Sequence, residues 1–203
     1  MKKIILAVIA LCCLCGCGKV KGYASAQDKL MNMLSYRAEI DISYISSDAE
    51  STYTAVQTAD NQGRYKLEVT SPENLNGSSI LFDGKMIWQY NPNIEQKISI
   101  NAEDKPERSQ LNLFSFMENY VKSTDTTVTT AKTDGAQCTV LEANIEGAGN
   151  YIANEKLWIS NEDMLPQKLV IYDSEGKERI RVDFNSFEYN AELTEDEFVP
   201  QKQ

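Results

Sequence analysis

From Tyr36 to Tyr44 the chain alternates apolar and polar residues without a break. Tyr36, Ala38, Ile40, Ile42 and Tyr44 fall on one side, and Arg37, Glu39, Asp41 and Ser43 on the other. Successive side chains of a strand point to opposite faces, so a period of two held this long predicts a half-buried β-strand and excludes a helix.

The pattern recurs along the chain with turn residues between its repeats. Ser51 to Ala59 reads as a second strand, and Asn61-Gln62-Gly63 turns the chain into Arg64 to Thr70. Ser79 to Phe82 and Lys85 to Tyr90 flank Asp83-Gly84, a favoured hairpin turn because both positions tolerate positive φ. Asn91-Pro92-Asn93 leads into Ile94 to Ile100, with Ile94, Ile98 and Ile100 in phase. Strand chemistry returns at Thr124 to Ala131, Gln137 to Ile145, Tyr151 to Ser160, Pro166 to Tyr172 and Lys177 to Phe187.

Two stretches break the period. Ala24 to Leu34 spaces Leu30, Met31 and Leu34 as a helix does. Gln110 to Val121 places Leu113, Phe116, Met117 and Tyr120 at i, i+3, i+4 and i+7, with Leu111, Phe114 and Val121 widening the stripe. The flanks of this second helix carry Glu107, Glu118 and Lys122 rather than a basic face, so it is expected to pack on a sheet, not to lie in a membrane. The predicted fold is mainly β: an open, strongly curved antiparallel sheet of about eleven strands packed over two helices, since a sheet so wide must curl.

The N-terminus adds a second constraint. Lys2 and Lys3 precede an apolar run from Ile4 to Leu14, too short to span a bilayer as a helix but suited to a secretory leader. Of the cysteines that end it, only Cys17 has a small residue before it (Gly16) and an aliphatic residue three before it (Leu14), the pattern of a lipoprotein signal. Residues 1–16 are therefore expected to be removed as a lipoprotein signal peptide, 17–23 to form a lipidated tether, and 24–203 to form a single domain outside the cytoplasm. Cleavage takes the formal charge from −10 to −12, which argues against a nucleic-acid partner. It also leaves only Cys17 and Cys138 of the five cysteines. With Cys17 acylated, Cys138 is expected to be a small buried apolar residue beside Val140.

The chain has no histidine, which removes Ser-His-Asp and Cys-His catalysis, histidine metal sites and the commonest general base. Glu103-Asp104, Glu162-Asp163 and Glu195-Asp196-Glu197 lack the apolar neighbours that separate the pKa values of a catalytic pair, and read as solvated turn charges. Ser174-Glu175-Gly176-Lys177 matches S-x-x-K by letters but falls in a hairpin turn. No catalytic residue, metal site or cofactor is expected. Tyr65, Trp88, Tyr90, Trp158 and Phe184 sit at inward-facing strand positions, and either fill the space between sheet and helices or line an apolar cavity.

Leu81-Phe82-Asp83-Gly84-Lys85-Met86-Ile87-Trp88-Gln89-Tyr90-Asn91-Pro92 resembles the central hairpin of the LolA-like superfamily of lipoprotein carriers. Leu157-Trp158-Ile159, Leu165-Pro166, Val182-Asp183-Phe184 and the ending Leu193 to Pro200, with Phe198 as apolar anchor, resemble that family's C-terminal strands. With the lipoprotein signal, the whole is most similar to GerS-type germination lipoproteins. The resemblance implies a LolA-like half-barrel. It also implies a non-enzymatic partner of an N-acetylmuramoyl-L-alanine amidase of CwlD type, supporting muramic-δ-lactam formation and germination from the cell or forespore membrane. The wider superfamily implies the alternative of a lipid- or lipoprotein-binding carrier. An open sheet also leaves two edges, from which a homodimer through edge pairing or strand exchange is expected.

Overall fold

The computed structural model describes residues 21–101, 111–133, 135–145, 147 and 149–200 of the 203-residue chain. Helix α1 (Lys21–Met31) is followed by β1 (Ser35–Ile45), β2 (Glu50–Asp60), β3 (Tyr65–Ser71), β4 (Ser79–Phe82), β5 (Met86–Asn91) and β6 (Gln96–Asn101). Helix α2 (Leu113–Lys122) separates these from β7 (Thr127–Thr133), β8 (Ala136–Asn144), β9 (Asn154–Ser160), β10 (Pro166–Tyr172) and β11 (Glu178–Tyr189). The strands form one antiparallel sheet in the order β6-β5-β4-β3-β2-β1-β11-β10-β9-β8-β7. Two meanders are joined by their first and last strands, with Ile42 opposite Val182 and Tyr44 opposite Ile180. The two edges, β6 and β7, do not pair with each other, so the sheet stays open.

The expected strands are all present, and two boundaries are corrected. Helix α1 takes in Lys21 to Tyr23, assigned above to the tether, and stops at Met31 rather than Leu34. The chain is turned there because the Leu34 N–H donates to Asn190 Oδ1 at 2.8 Å, and the Leu34 carbonyl accepts from Asn61 at 2.9 Å. Ile94 lies in a short 3-10 turn (Pro92–Ile94) ahead of Glu95 at φ 48°, not in β6. The turn is favoured by the Asn91 side chain, which accepts from the Asn93 N–H at 3.0 Å, and by Pro92, whose fixed φ suits a helical start.

Both helices lie on one face of the sheet, here the inner face. Leu113, Phe116, Met117 and Tyr120 of α2 are buried with Ala26 and Leu30 of α1 against Ala38, Ile40, Leu141, Ala143, Leu157 and Leu169. Burying each large apolar side chain contributes about 1.5–3 kcal/mol, which is why the stripe and not intrinsic propensity holds a 10-residue helix. The start of α2 is also held by polar bonds. Asn112 caps it, accepting from Ser115 N–H at 2.9 Å. The Tyr36 hydroxyl accepts from Leu113 N–H at 3.2 Å and donates to Gln57 Oε1 at 2.8 Å, while Gln57 Nε2 donates to the Leu111 carbonyl at 3.3 Å. Tyr36 is fully buried between the rings of Phe114 and Phe187, at 5.8 and 5.1 Å, and burial pushes its phenol well up.

The opposite, outer face is crossed by the chain's end. Arg64 pairs with Asp60 at 2.8 Å and Glu195 at 2.6 Å, its guanidinium lying 4.5 Å from the Phe198 ring centre. Arg37 pairs with Glu197 at 2.8 Å. Phe198, expected from the resemblance to be an apolar anchor, is buried. Glu195 and Asp196 are exposed as expected, although Glu195 and Glu197 each pair with an arginine of the sheet.

Candidate functional site

The helices leave part of the inner face uncovered, and a groove of about 560 Å³ opens there across β1 to β6. Its apolar wall is formed by Ile42, Leu67, Val69 and Ile80, consecutive inner-face positions brought side by side by the pairing of β1 to β4. Tyr44 and Tyr53 close one end, edge to face at 6.0 Å. Ile94 and Ile98 stand exposed on the lip, by the edge strand β6. None of the described lining residues is charged; Gln89, Gln96, Asn91, three serines and three tyrosines bring polar groups to it. Such a groove can take an apolar or extended ligand, but holds no nucleophile with an adjacent base.

The five aromatic residues singled out in the sequence divide between the two faces. Tyr65 and Phe184 are on the inner face, Tyr65 packing on Phe82 at 5.8 Å and Phe184 edge-on to Phe187 at 5.7 Å. Burial raises the Tyr65 phenol, and its hydroxyl has no hydrogen-bond partner among the described residues. The inward phase expected for the tryptophans is corrected. Trp88 is opposite Leu81, which is opposite Lys66, on the outer face, whereas the neighbouring Gln89 faces the groove. Trp158 alternates with buried Leu157 and Ile159 and carries Lys168 4.6 Å from its ring centre. Tyr90 shares the Trp88 face and reaches the groove only at its rim. Both sheet faces carry apolar residues here, so alternation shows which residues share a face but not which face the helices cover.

Trp88 is instead part of a hairpin lock. Its indole N–H donates to Asp83 Oδ2 at 2.7 Å, and Asp83 Oδ1 accepts from Lys85 and Met86 N–H, each at 2.8 Å. Desolvation alone would raise the Asp83 pKa; the bonds from Met86, Trp88 and Lys85 outweigh it and hold the carboxyl below the usual range. Lys97 of β6 lies 5.0 Å from the Trp88 ring centre, tying the edge strand to the same lock.

Among the other flagged groups, Glu162 and Asp163 are exposed turn residues, with Asp163 accepting from Leu165 N–H at 3.1 Å. Ser174 to Lys177 form the expected exposed turn, organised by Asp173. Cys138 is fully buried and forms no disulfide among the described residues. Cys17, Glu103 and Asp104 lie outside the described residues. No cluster of three potential metal ligands occurs among the described residues. No described helix is long and apolar enough to cross a membrane. Three buried acids escaped the sequence reading: Asp60, Asp173 and Glu155, of which Glu155 of β9 is fully buried beneath α2. Its strand neighbours Asn154 and Lys156 are polar too, so the local sequence carries no signal of its burial.

The family profile described as sporulation protein YdcC-like matches residues 1–198. The chain belongs to this family. Among curated relatives, sporulation protein YdcC of Bacillus subtilis (strain 168) is 20% identical over 203 residues; that alignment takes in 98% of this chain but 59% of the relative, so this YdcC-like chain spans well under two thirds of its length. The fold is similar to that of an uncharacterised conserved protein from Thermus thermophilus, with a TM-score of 0.58 at 16% identity over 89% of this chain and 94% of that one. It is also similar to a chain of the complex between the CwlD amidase of Clostridioides difficile and the GerS lipoprotein, with a TM-score of 0.52 at 27% identity over 85% of this chain and 96% of that one. The recognition of a GerS-type chain from its hairpin and C-terminal strands, and of an open antiparallel sheet with two helices, is thereby borne out.

Proposed function

We propose that this YdcC-like protein is a lipid-anchored, extracytoplasmic sporulation lipoprotein. In this reading it binds a CwlD-type N-acetylmuramoyl-L-alanine amidase and raises its activity, supporting muramic-δ-lactam formation without chemistry of its own. The observation that carries this reading is the likeness, at 27% identity and over 96% of the matched chain, to a component of an amidase–lipoprotein complex. The uncharged groove and the absence of histidine are consistent with a binding role. An adaptor acts by binding the active state of its enzyme more tightly than the inactive one, and its effect is bounded by that difference. The test is purified amidase on cortex peptidoglycan with and without this protein. A rise in rate that survives joint substitution of Glu162 and Asp163 supports the adaptor, and an amidase indifferent to saturating protein removes it.

The groove favours a second reading, a carrier or sensor for an acyl chain or lipoprotein, because its wall is apolar and of a size to hold one. Stoichiometric lipid in native mass spectra, lost in Ile80→Asp with the fold retained, supports the carrier; a lipid-free protein removes it. The open edges β6 and β7 favour a homodimer by edge pairing or strand exchange. Light scattering that finds only monomer at micromolar concentration removes the dimer.

A further inference from the structure

Met31, Leu34 and Val121 have the spacing of core residues, yet the fold leaves them 57, 60 and 65% exposed. They are not scattered. All three line one shallow depression of about 390 Å³ between the end of α1 and the outer side of α2, floored by Met33, Phe114 and Met117. Exposed apolar side chains gathered in one place mark a surface that is covered in the working protein. Glu118 and Lys122 at the rim pair with each other at 2.6 Å, so the described lining of the depression carries no net charge.

The chain's connectivity selects what covers it. Three residues separate Cys17 from Lys21, where α1 begins. Extended, the link from Cys17 to Lys21 spans at most about 14 Å. The 11 residues of α1 add about 16 Å at 1.5 Å per residue. The depression is thus held within a few nanometres of whatever Cys17 is fixed to. Three large side chains are far short of the roughly 800 Å² per partner that a free-standing protein interface buries. On a short tether the same weak contact is intramolecular, with an effective concentration in the millimolar range.

We infer that the depression formed by Met31, Leu34, Phe114, Met117 and Val121 is a membrane-docking surface that seats the domain on the lipid bilayer to which its N-terminus is attached. The inference rests on acylation of Cys17. Helix α2 still packs on the sheet through its buried stripe; only the exposed Met31, Leu34 and Val121 enter the boundary between headgroups and acyl chains, and the paired rim charges stay in the headgroup layer. Docking fixes the orientation of the sheet relative to the membrane.

The experiment uses the full, processed chain in phosphatidylglycerol–phosphatidylethanolamine vesicles, with an environment-sensitive fluorophore on Leu34→Cys, on Val121→Cys or, as control, on Ile98→Cys of β6. Buried Cys138 is protected from labelling in the native fold. A blue-shifted, brighter emission at positions 34 and 121 but not 98 on moving from detergent to vesicles is the expected result, abolished by adding Met31→Asp. If the protein floats with vesicles while all three probes are unchanged, docking is overturned and acylation stands. A protein that does not float overturns both. Probes at 34 and 121 that shift in detergent when amidase is added, or when protein concentration is raised, overturn the membrane as occupant in favour of a protein.

Discussion

Asn119 of α2 donates from Nδ2 to Oε1 of Glu155 on β9 at 2.8 Å, while the other carboxyl oxygen of Glu155 has no hydrogen-bond partner among the described residues. The acid sits in the apolar seam between helix and sheet. Burial pushes its pKa up to about 7, and the Asn119 bond lowers it only in part. The folded protein therefore prefers Glu155 protonated, and the unfolded chain releases that proton nearer 4.5. The stability this contributes is fully present below 4.5 and is lost as pH rises toward 7. Glu155→Gln should remove that loss. At about 1.4 kcal/mol per pKa unit, we expect the variant to gain roughly 3–4 kcal/mol over wild type at pH 8 and little at pH 4.5. Urea titrations of both proteins across that range check it; a constant difference would show that Glu155 does not titrate on unfolding.

Tyr36→Phe should cost about 1–3 kcal/mol, because it strands the Leu113 N–H and the Gln57 Oε1 inside the core without changing the ring stack on Phe114 and Phe187. Hydrogen exchange should show the loss concentrated at the start of α2. Uniform weakening of the whole sheet would contradict the role of Tyr36 as the bond that seats this helix.

The C-terminal strap depends on Phe198. Phe198→Ala is expected to lower the urea midpoint by an amount equivalent to about 3 kcal/mol, the lower end for a buried aromatic, with the slope unchanged. Arg37→Ala, which breaks a partly exposed pair with Glu197, should cost under about 1 kcal/mol. An equal cost for the two would mean that charge, not the buried ring, holds the strap.

Cys138 is buried on the face that Val140 and Trp158 share, so its thiol should not react with a disulfide reagent until the protein unfolds. Cys138→Ala should cost about 1 kcal/mol and, on the proposed function, leave amidase stimulation unchanged. Complete loss of stimulation in folded Cys138→Ala would assign the thiol a function.

Acylation of Cys17 is checked by intact mass. Protein extracted from membranes should begin at Cys17 and carry a diacylglycerol adduct; each buried methylene of such a chain contributes about 0.8 kcal/mol of anchoring. Cleavage elsewhere with Cys17 unmodified would refute it.

Taken alone, the sequence determined the local layer of this protein. The alternation at Tyr36 to Tyr44 specified a strand and the residues sharing its face, Asp83-Gly84 specified a hairpin, and the spacing of Leu113, Phe116, Met117 and Tyr120 specified the helix stripe that is buried. These are read from side-chain direction, which the backbone period dictates within a few residues. Only tertiary structure decided which face of each strand the helices cover. That choice placed Trp88 and Trp158 on the outer face, left Met31, Leu34 and Val121 exposed, opened the groove beside Ile42 and Ile80, and hid Glu155 under α2. Burial depends on what packs from elsewhere in the chain, and a helix that comes over β9 from more than thirty residues earlier leaves no mark on the local period of the strand it covers.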